Sequence, residues 1–128
     1  MTDSFDKTYR NSGVAIGQYL AVAFDASGEL VVAGANEPII GFCQRAAGAT
    51  VIPIGVRTGG HTKAIAADGN ILAGDYLKTA AAGEVTSVGA EDAIDVFVVG
   101  IAEMASGAQG DQIEILIAPS KFSAVVVP

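Results

Sequence analysis

Val14-Ala15-Ile16-Gly17-Gln18-Tyr19-Leu20 returns further along the chain as Ile71-Leu72-Ala73-Gly74-Asp75-Tyr76-Leu77. Both copies continue alike. Ser27-Gly28-Glu29-Leu30-Val31 precedes Ile40-Gly41-Phe42, and Ala82-Gly83-Glu84-Val85-Thr86 precedes Val99-Gly100-Ile101. Each copy closes on an apolar alternating run, Thr50-Val51-Ile52-Pro53-Ile54 in the first and Gln112-Ile113-Glu114-Ile115-Leu116-Ile117 in the second. The spacing between matched positions drifts, as it does when loops of unequal length join equivalent strands. One small β unit written twice is therefore expected, with pseudo-repeats over about 13–56 and 70–118 inside a single β domain of residues 13–128.

A chain of 128 residues accommodates one compact domain but not two with generous cores. Hydrophobic residues make up 51%, yet aromatics reach only 6% and tryptophan is absent, so the apolar content is mostly Ala, Val and Ile. Small side chains each remove little surface from water, at about 25 cal/mol per Å². Such a core offsets chain entropy weakly, and contact with other subunits is the natural supplement. Cys43 is the only cysteine, so no intrachain disulfide supplies it, and a reducing compartment fits.

The longest stretch free of formal charge, residues 11–24, falls short of the roughly 18 apolar residues a membrane helix needs. No membrane partner is expected. The first residues are acidic and lack the features of a secretory leader, so export by that route is not expected. Fourteen acidic residues against seven scattered basic ones give a net charge of −7, which disfavours binding to nucleic acid.

Residues 1–12 are polar and of mixed charge, with Phe5 and Tyr9 as their sizeable apolar groups. They read as an N-terminal arm, either frayed or docked on a neighbour. Beyond them, short apolar stretches are interrupted by Asp25-Ala26-Ser27-Gly28, Gly34-Ala35-Asn36, Ala47-Gly48, Thr58-Gly59-Gly60 and Asp68-Gly69-Asn70. The second half is punctuated by Ala82-Gly83-Glu84, Gly89-Ala90-Glu91-Asp92 and Ser106-Gly107-Ala108-Gln109-Gly110. Gly accepts positive φ and Asp or Asn bonds its own backbone, so these clusters read as turns between strands. The fold class is all-β, a compact sandwich or partly closed barrel of two pseudo-repeated lobes. Ala93 to Glu103 could also line a helical face, but its β-branched valines and Gly100 favour strand. The tail beyond Pro119 ends in Phe122 and the run Val125-Val126-Val127, which either packs under a lobe or joins a neighbouring sheet edge.

Thiol–imidazole catalysis would need Cys43 and His61 to meet, and the chain has one residue of each type. The structural reading of both is preferred, so no catalytic residue is assigned and no enzyme is expected. The same scarcity leaves no conventional zinc site. Gly55-Val56-Arg57-Thr58-Gly59-Gly60-His61-Thr62-Lys63 lacks the Gly-Lys-Ser or Gly-Lys-Thr ending of a phosphate loop, and a hairpin turn is expected there. Glu91, Asp92 and Asp95 gather carboxylates without an EF-hand pattern and read as a solvated acidic loop. No metal and no cofactor is expected.

Taken together, the strand-turn repeats, the Gly74-Asp75-Tyr76-Leu77 step and the closing Gly110 to Ile117 segment resemble the small capsid decoration proteins of tailed phages, also called cement or head-stabilising proteins. The resemblance covers residues 13 to about 118 and brings no catalytic motif. It implies a structural protein on the outer surface of the virion capsid, made in the host cytoplasm, often a homotrimer, that clamps neighbouring copies of the major capsid protein. The candidate contacts with capsid or protomer are Phe5, Tyr9 and Arg10 in the arm and Phe122, Val125, Val126 and Val127 in the tail. Deleting residues 1–12 is expected to weaken attachment and spare the β core. The alternative is another virion β module: a head fibre base, a tail component or a carbohydrate-binding adhesin. The shortage of aromatics argues against the adhesin.

Overall fold

The computed structural model describes residues 5–48, 53–89 and 95–123, with side chains at 6–48, 53–89 and 96–118. The strands are β1 (Phe5–Arg10), β2 (Ala21–Phe24), β3 (Leu30–Val32), β4 (Gly41–Cys43), β5 (Pro53–Ile65), β6 (Tyr76–Thr79), β7 (Val85–Ser87), β8 (Asp95–Ala102) and β9 (Gln112–Ser123). A single 3-10 turn, Ala81–Gly83, is the only helical element among the described residues. All pairs are antiparallel, in the order β3-β2-β4-β5-β9-β8-β6-β7, with β1 also on β5. The all-β expectation holds, and Ala93 to Glu103, where described, contains a strand.

The strand order reads as the same motif twice. The pairings of the first half recur in the second, with residues up to β3 shifted by 55 and residues from β4 onward shifted by 59. Lys7↔Val56 becomes Thr62↔Ile115, and Arg10↔Pro53 becomes Ile65↔Gln112. Cys43↔Val56 becomes Ala102↔Ile115. Between β2 and β3 both partners shift by 55, so Val22↔Val32 becomes Leu77↔Ser87. Isolated parallel bridges repeat too, Asn11↔Leu30 and Ala66↔Val85, and each draws the curled strands of its half together. The first unit thus runs from β1 into the first half of β5. The second begins in the second half of β5 and ends in β9.

This pairing changes two readings of the sequence. The segment read as an arm contains β1, which lies on β5 of its own chain and is the mate of the second half of β5. Asp6, Lys7, Thr8 and Arg10 are exposed beside β5 and Tyr9 alone is half-buried, so no apolar alternation announced it. The segment expected to be a hairpin turn, Gly55 to Lys63, is instead the middle of a 13-residue strand. At Gly59-Gly60 that strand passes from β1 and β4 to β9, and Gly60 sits at φ +76, which only glycine adopts without strain.

Two buried clusters follow the repeat. Ile16, Val22, Leu30, Cys43, Ala47, Ile54 and Val56 fill the first unit. Their mates Ile71, Leu77, Val85, Ala102, Ile113 and Ile115 belong to the second cluster, which also takes in Ala21, Ala33 and Phe42 from the first unit. Side chains alternate across a strand, so β4 sends Cys43 into its own unit and Phe42 into the neighbour's. Phe42 is the largest fully buried side chain among the described residues. The scarcity of aromatics is visible here as a core of aliphatic side chains keyed by one ring.

Candidate functional site: the hollow at the repeat junction

Where β5 passes between units, a surface hollow of about 410 Å³ is lined by Tyr19, Gln44, Arg57, His61, Thr62, Lys63, Glu103 and Glu114. Arg57, His61, Thr62 and Lys63 come from β5 itself, and Glu114 stands opposite Lys63 on β9. Gln44 and Glu103 follow β4 and β8 at mated positions, so the hollow receives an equivalent residue from each unit.

Hydrogen bonds fix its walls. The Arg57 guanidinium donates to Asp6 from Nε at 2.7 Å and Nη2 at 3.2 Å, and from Nη1 to the His61 carbonyl at 3.2 Å. That fork holds the Asp6 carboxyl below the usual carboxylate range and raises Arg57. Gln44 donates from its amide to the Phe42 carbonyl at 3.0 Å and to the Thr62 hydroxyl at 2.9 Å. His61 Nδ1 lies 2.9 Å from Glu103 Oε2. The Lys63 ammonium sits 5.9 Å from the centre of the Tyr19 ring, within cation–π range. Arg57 and Lys63 match Glu103 and Glu114 in formal charge, so the lining carries no net charge with His61 neutral.

Tyr19 is held in an unusual backbone conformation. Its φ is +68, and its N–H donates to the Cys43 carbonyl at 2.7 Å. The mated turn has Gly74, at φ +91, donating to the Ala102 carbonyl at 2.8 Å. A side chain in this left-handed region costs about 1 kcal/mol, a cost glycine avoids. The heptad read from sequence set Tyr19 against Tyr76 and Gly17 against Gly74; the strand pairing sets Tyr19 against Gly74, two residues out of step.

The residues singled out from sequence fall elsewhere. Tyr9 packs edge-on against Phe24, with ring centres 5.3 Å apart, and joins the first unit's cluster. Arg10 is exposed and lies 3.8 Å from Glu29. Phe5 pairs with Gly59, and Phe122 with Val96, through their backbones. Val125, Val126 and Val127 lie outside the described residues, as do Glu91 and Asp92. Cys43 is fully buried and its thiol donates to the Arg45 carbonyl at 2.8 Å, while burial raises its pKa; His61 lies on the surface with Glu103. The thiol is withdrawn from the hollow that His61 lines. Sequence reasoning missed the hollow because its residues span Tyr19 to Glu114 and meet only through strand pairing.

No family model matches the chain, and no curated protein matches it. Among solved structures the fold has a clear likeness. It is similar to the base of a phage head fibre. The structure is that of the head fiber gp8.5 N base in bacteriophage phi29, with a TM-score of 0.73 over 92% of this chain and 98% of that one, at 16% identity. At that identity the likeness is one of fold. Its near-complete coverage of both chains means that the whole two-unit arrangement is shared.

Proposed function

We propose that this protein is a structural component of a phage virion, seated on the outer surface of the head through the major capsid protein. The observation that carries the reading is the likeness to a head fibre base across almost the full length of both chains. A base seats a projecting structure on a shell, and a decoration protein seats itself. A compact β module with a face for the capsid would serve either role.

Several features support association. A core of small aliphatic side chains offsets chain entropy weakly, and burial of further surface between copies, as in a homotrimer at a symmetry axis, would supplement it. Leu72, Tyr76 and Met104 are exposed apolar side chains at one end of the second unit, where the turn around Gly74 is bonded to Ala102. The exposed Arg10 on β1 and the tail beyond Ser123 are the contact elements in this reading, with Tyr9 supporting β1 from within. A net charge of −7 keeps the free surface soluble and sets nucleic acid aside as a partner. No enzymatic role, cofactor or membrane partner enters this reading. Binding only to the mature lattice would stabilise it by linkage, with many copies acting together.

The test mixes purified protein with expanded and unexpanded capsids and follows co-sedimentation and heat resistance. Co-sedimentation with expanded capsids is expected, weakened by Arg10→Ala and by truncation after Ser123. A rise in capsid heat resistance would mark a clamp between capsid proteins. Attachment without that rise would mark a fibre base. Failure to bind either capsid form would overturn the reading.

A further inference from the structure

Neither the β fold nor attachment to a capsid accounts for an aromatic side chain at Tyr19. The mated turn is built with Gly74, the same backbone hydrogen bond and no strained side chain. A strained residue that persists at the wall of a hollow points to use of its side chain there. From this geometry we propose that the hollow lined by Tyr19, Gln44, His61, Lys63, Glu103 and Glu114 binds an uncharged saccharide, with the Tyr19 ring as its stacking face.

The chemistry of the lining selects that class. With two cations against two carboxylates, the hollow gives no net attraction to a phosphate or to a metal cation. Half of its lining residues carry planar amide, carboxylate or imidazole groups, which pair with the adjacent hydroxyls of a sugar ring. Gln44 and Glu103 approach from the two units with oxygens that accept, the two amide N–H groups of Gln44 being taken by the Phe42 carbonyl and the Thr62 hydroxyl. The Lys63 ammonium sits over the face of Tyr19 at 5.9 Å, so that face already accommodates a positive group. The C–H face of a pyranose has that polarity. On binding it takes the ammonium's place over the ring, and the flexible Lys63 stem lets its amine turn to a sugar hydroxyl. This site does not depend on the capsid role and is tested on the free protein.

The test titrates ¹⁵N-labelled protein with the methyl glycosides of glucose, galactose and N-acetylglucosamine, and separately with sodium phosphate and N-acetylneuraminic acid. At least one neutral glycoside is expected to shift the amides of Tyr19, Gln44, Thr62 and Lys63 saturably at millimolar concentration. Tyr19→Gly is expected to weaken that binding by roughly tenfold while leaving the melting temperature at or above that of the parent. Tyr19→Phe, which keeps the ring, is expected to retain binding. The proposal is overturned if all three glycosides leave those amides unmoved, or if either anion binds there more tightly. It also fails if Tyr19→Gly lowers the melting temperature and leaves binding intact, because the ring would then serve packing alone.

Discussion

The first unit, from Phe5 to the middle of β5, and the second, from there through β9, share their strand pairings and differ in how individual positions are filled. Gly41 in one corresponds to Gly100 in the other, and a Cβ on either would collide with a backbone carbonyl oxygen, that of Arg57 or that of Leu116. Asn11 and Ala66 both close their units by a parallel bridge. Against this constancy, Asp6 corresponds to His61, Arg57 to Leu116 and Tyr19 to Gly74. The backbone solution tolerates little change where strands cross closely. Side chains at the junction between units are under no such restraint, and there the two copies have diverged into the walls of a hollow.

The largest test of this equivalence is removal of residues 1–12. If β1 were an appendage, the β core would survive; as the mate of the second half of β5, its loss strips one side of β5, Tyr9 and the buried Asn11 from the first unit. Cooperative unfolding of that unit is expected to vanish in thermal melts followed by circular dichroism, and an unchanged transition would break the comparison. Next come Gly41→Ala and Gly100→Ala. Each is expected to cost about 3 kcal/mol by backbone displacement, with the two values close together in denaturant titrations.

A smaller effect separates the copies. Ile16 and Ala47 exchange backbone hydrogen bonds at 2.9 Å, whereas in the second unit the Ile71 N–H donates to the Ser106 hydroxyl at 3.1 Å. That hydroxyl also donates to the Asp68 carbonyl at 2.8 Å. Ser106→Ala should therefore cost about 1–2 kcal/mol by leaving a buried N–H without its acceptor, while the mated change Ala47→Gly offers no such loss of a side-chain bond. Comparison of the two in the same titration sharpens where the copies differ.

The smallest effect concerns Asp6, whose pKa is lowered by the Arg57 hydrogen bonds. A carboxyl depressed in the folded state adds stability above its unfolded pKa of 3.8, and that stability is lost as pH falls through the folded value. The pair is partly exposed, so Asp6→Asn is expected to cost about 0.2–1 kcal/mol at neutral pH. The difference from the parent should shrink through the acid range below the unfolded pKa, which urea titrations at several pH values would reveal.

The duplication and the strand content were legible in the sequence because glycines at close crossings and inward aliphatic residues carry their own signal. Ile40-Gly41-Phe42 against Val99-Gly100-Ile101, and Ser27 to Val31 against Ala82 to Thr86, are matched as the pairing has them. The heptad that first betrayed the repeat was out of step by two, because the Gly-X-Tyr-Leu phrase falls at different points of the two turns. Thr58-Gly59-Gly60 resembled a turn since glycine pairs signal both chain reversal and a bend within a strand, and only the partners on either side distinguish these. β1 was hidden by its exposed, polar face. The hollow left no local trace, since Tyr19, Gln44, His61, Glu103 and Glu114 are joined by register alone.

Because β5 belongs to both units, their assembly during synthesis has a direction. Once Ile65 has left the ribosome, every strand of the first unit is available, and pairing them anchors the base of a strand whose far half is the founding edge of the second. The later strands then zip onto a template already held in place, instead of searching for one, which shortens the costly long-range step of β folding.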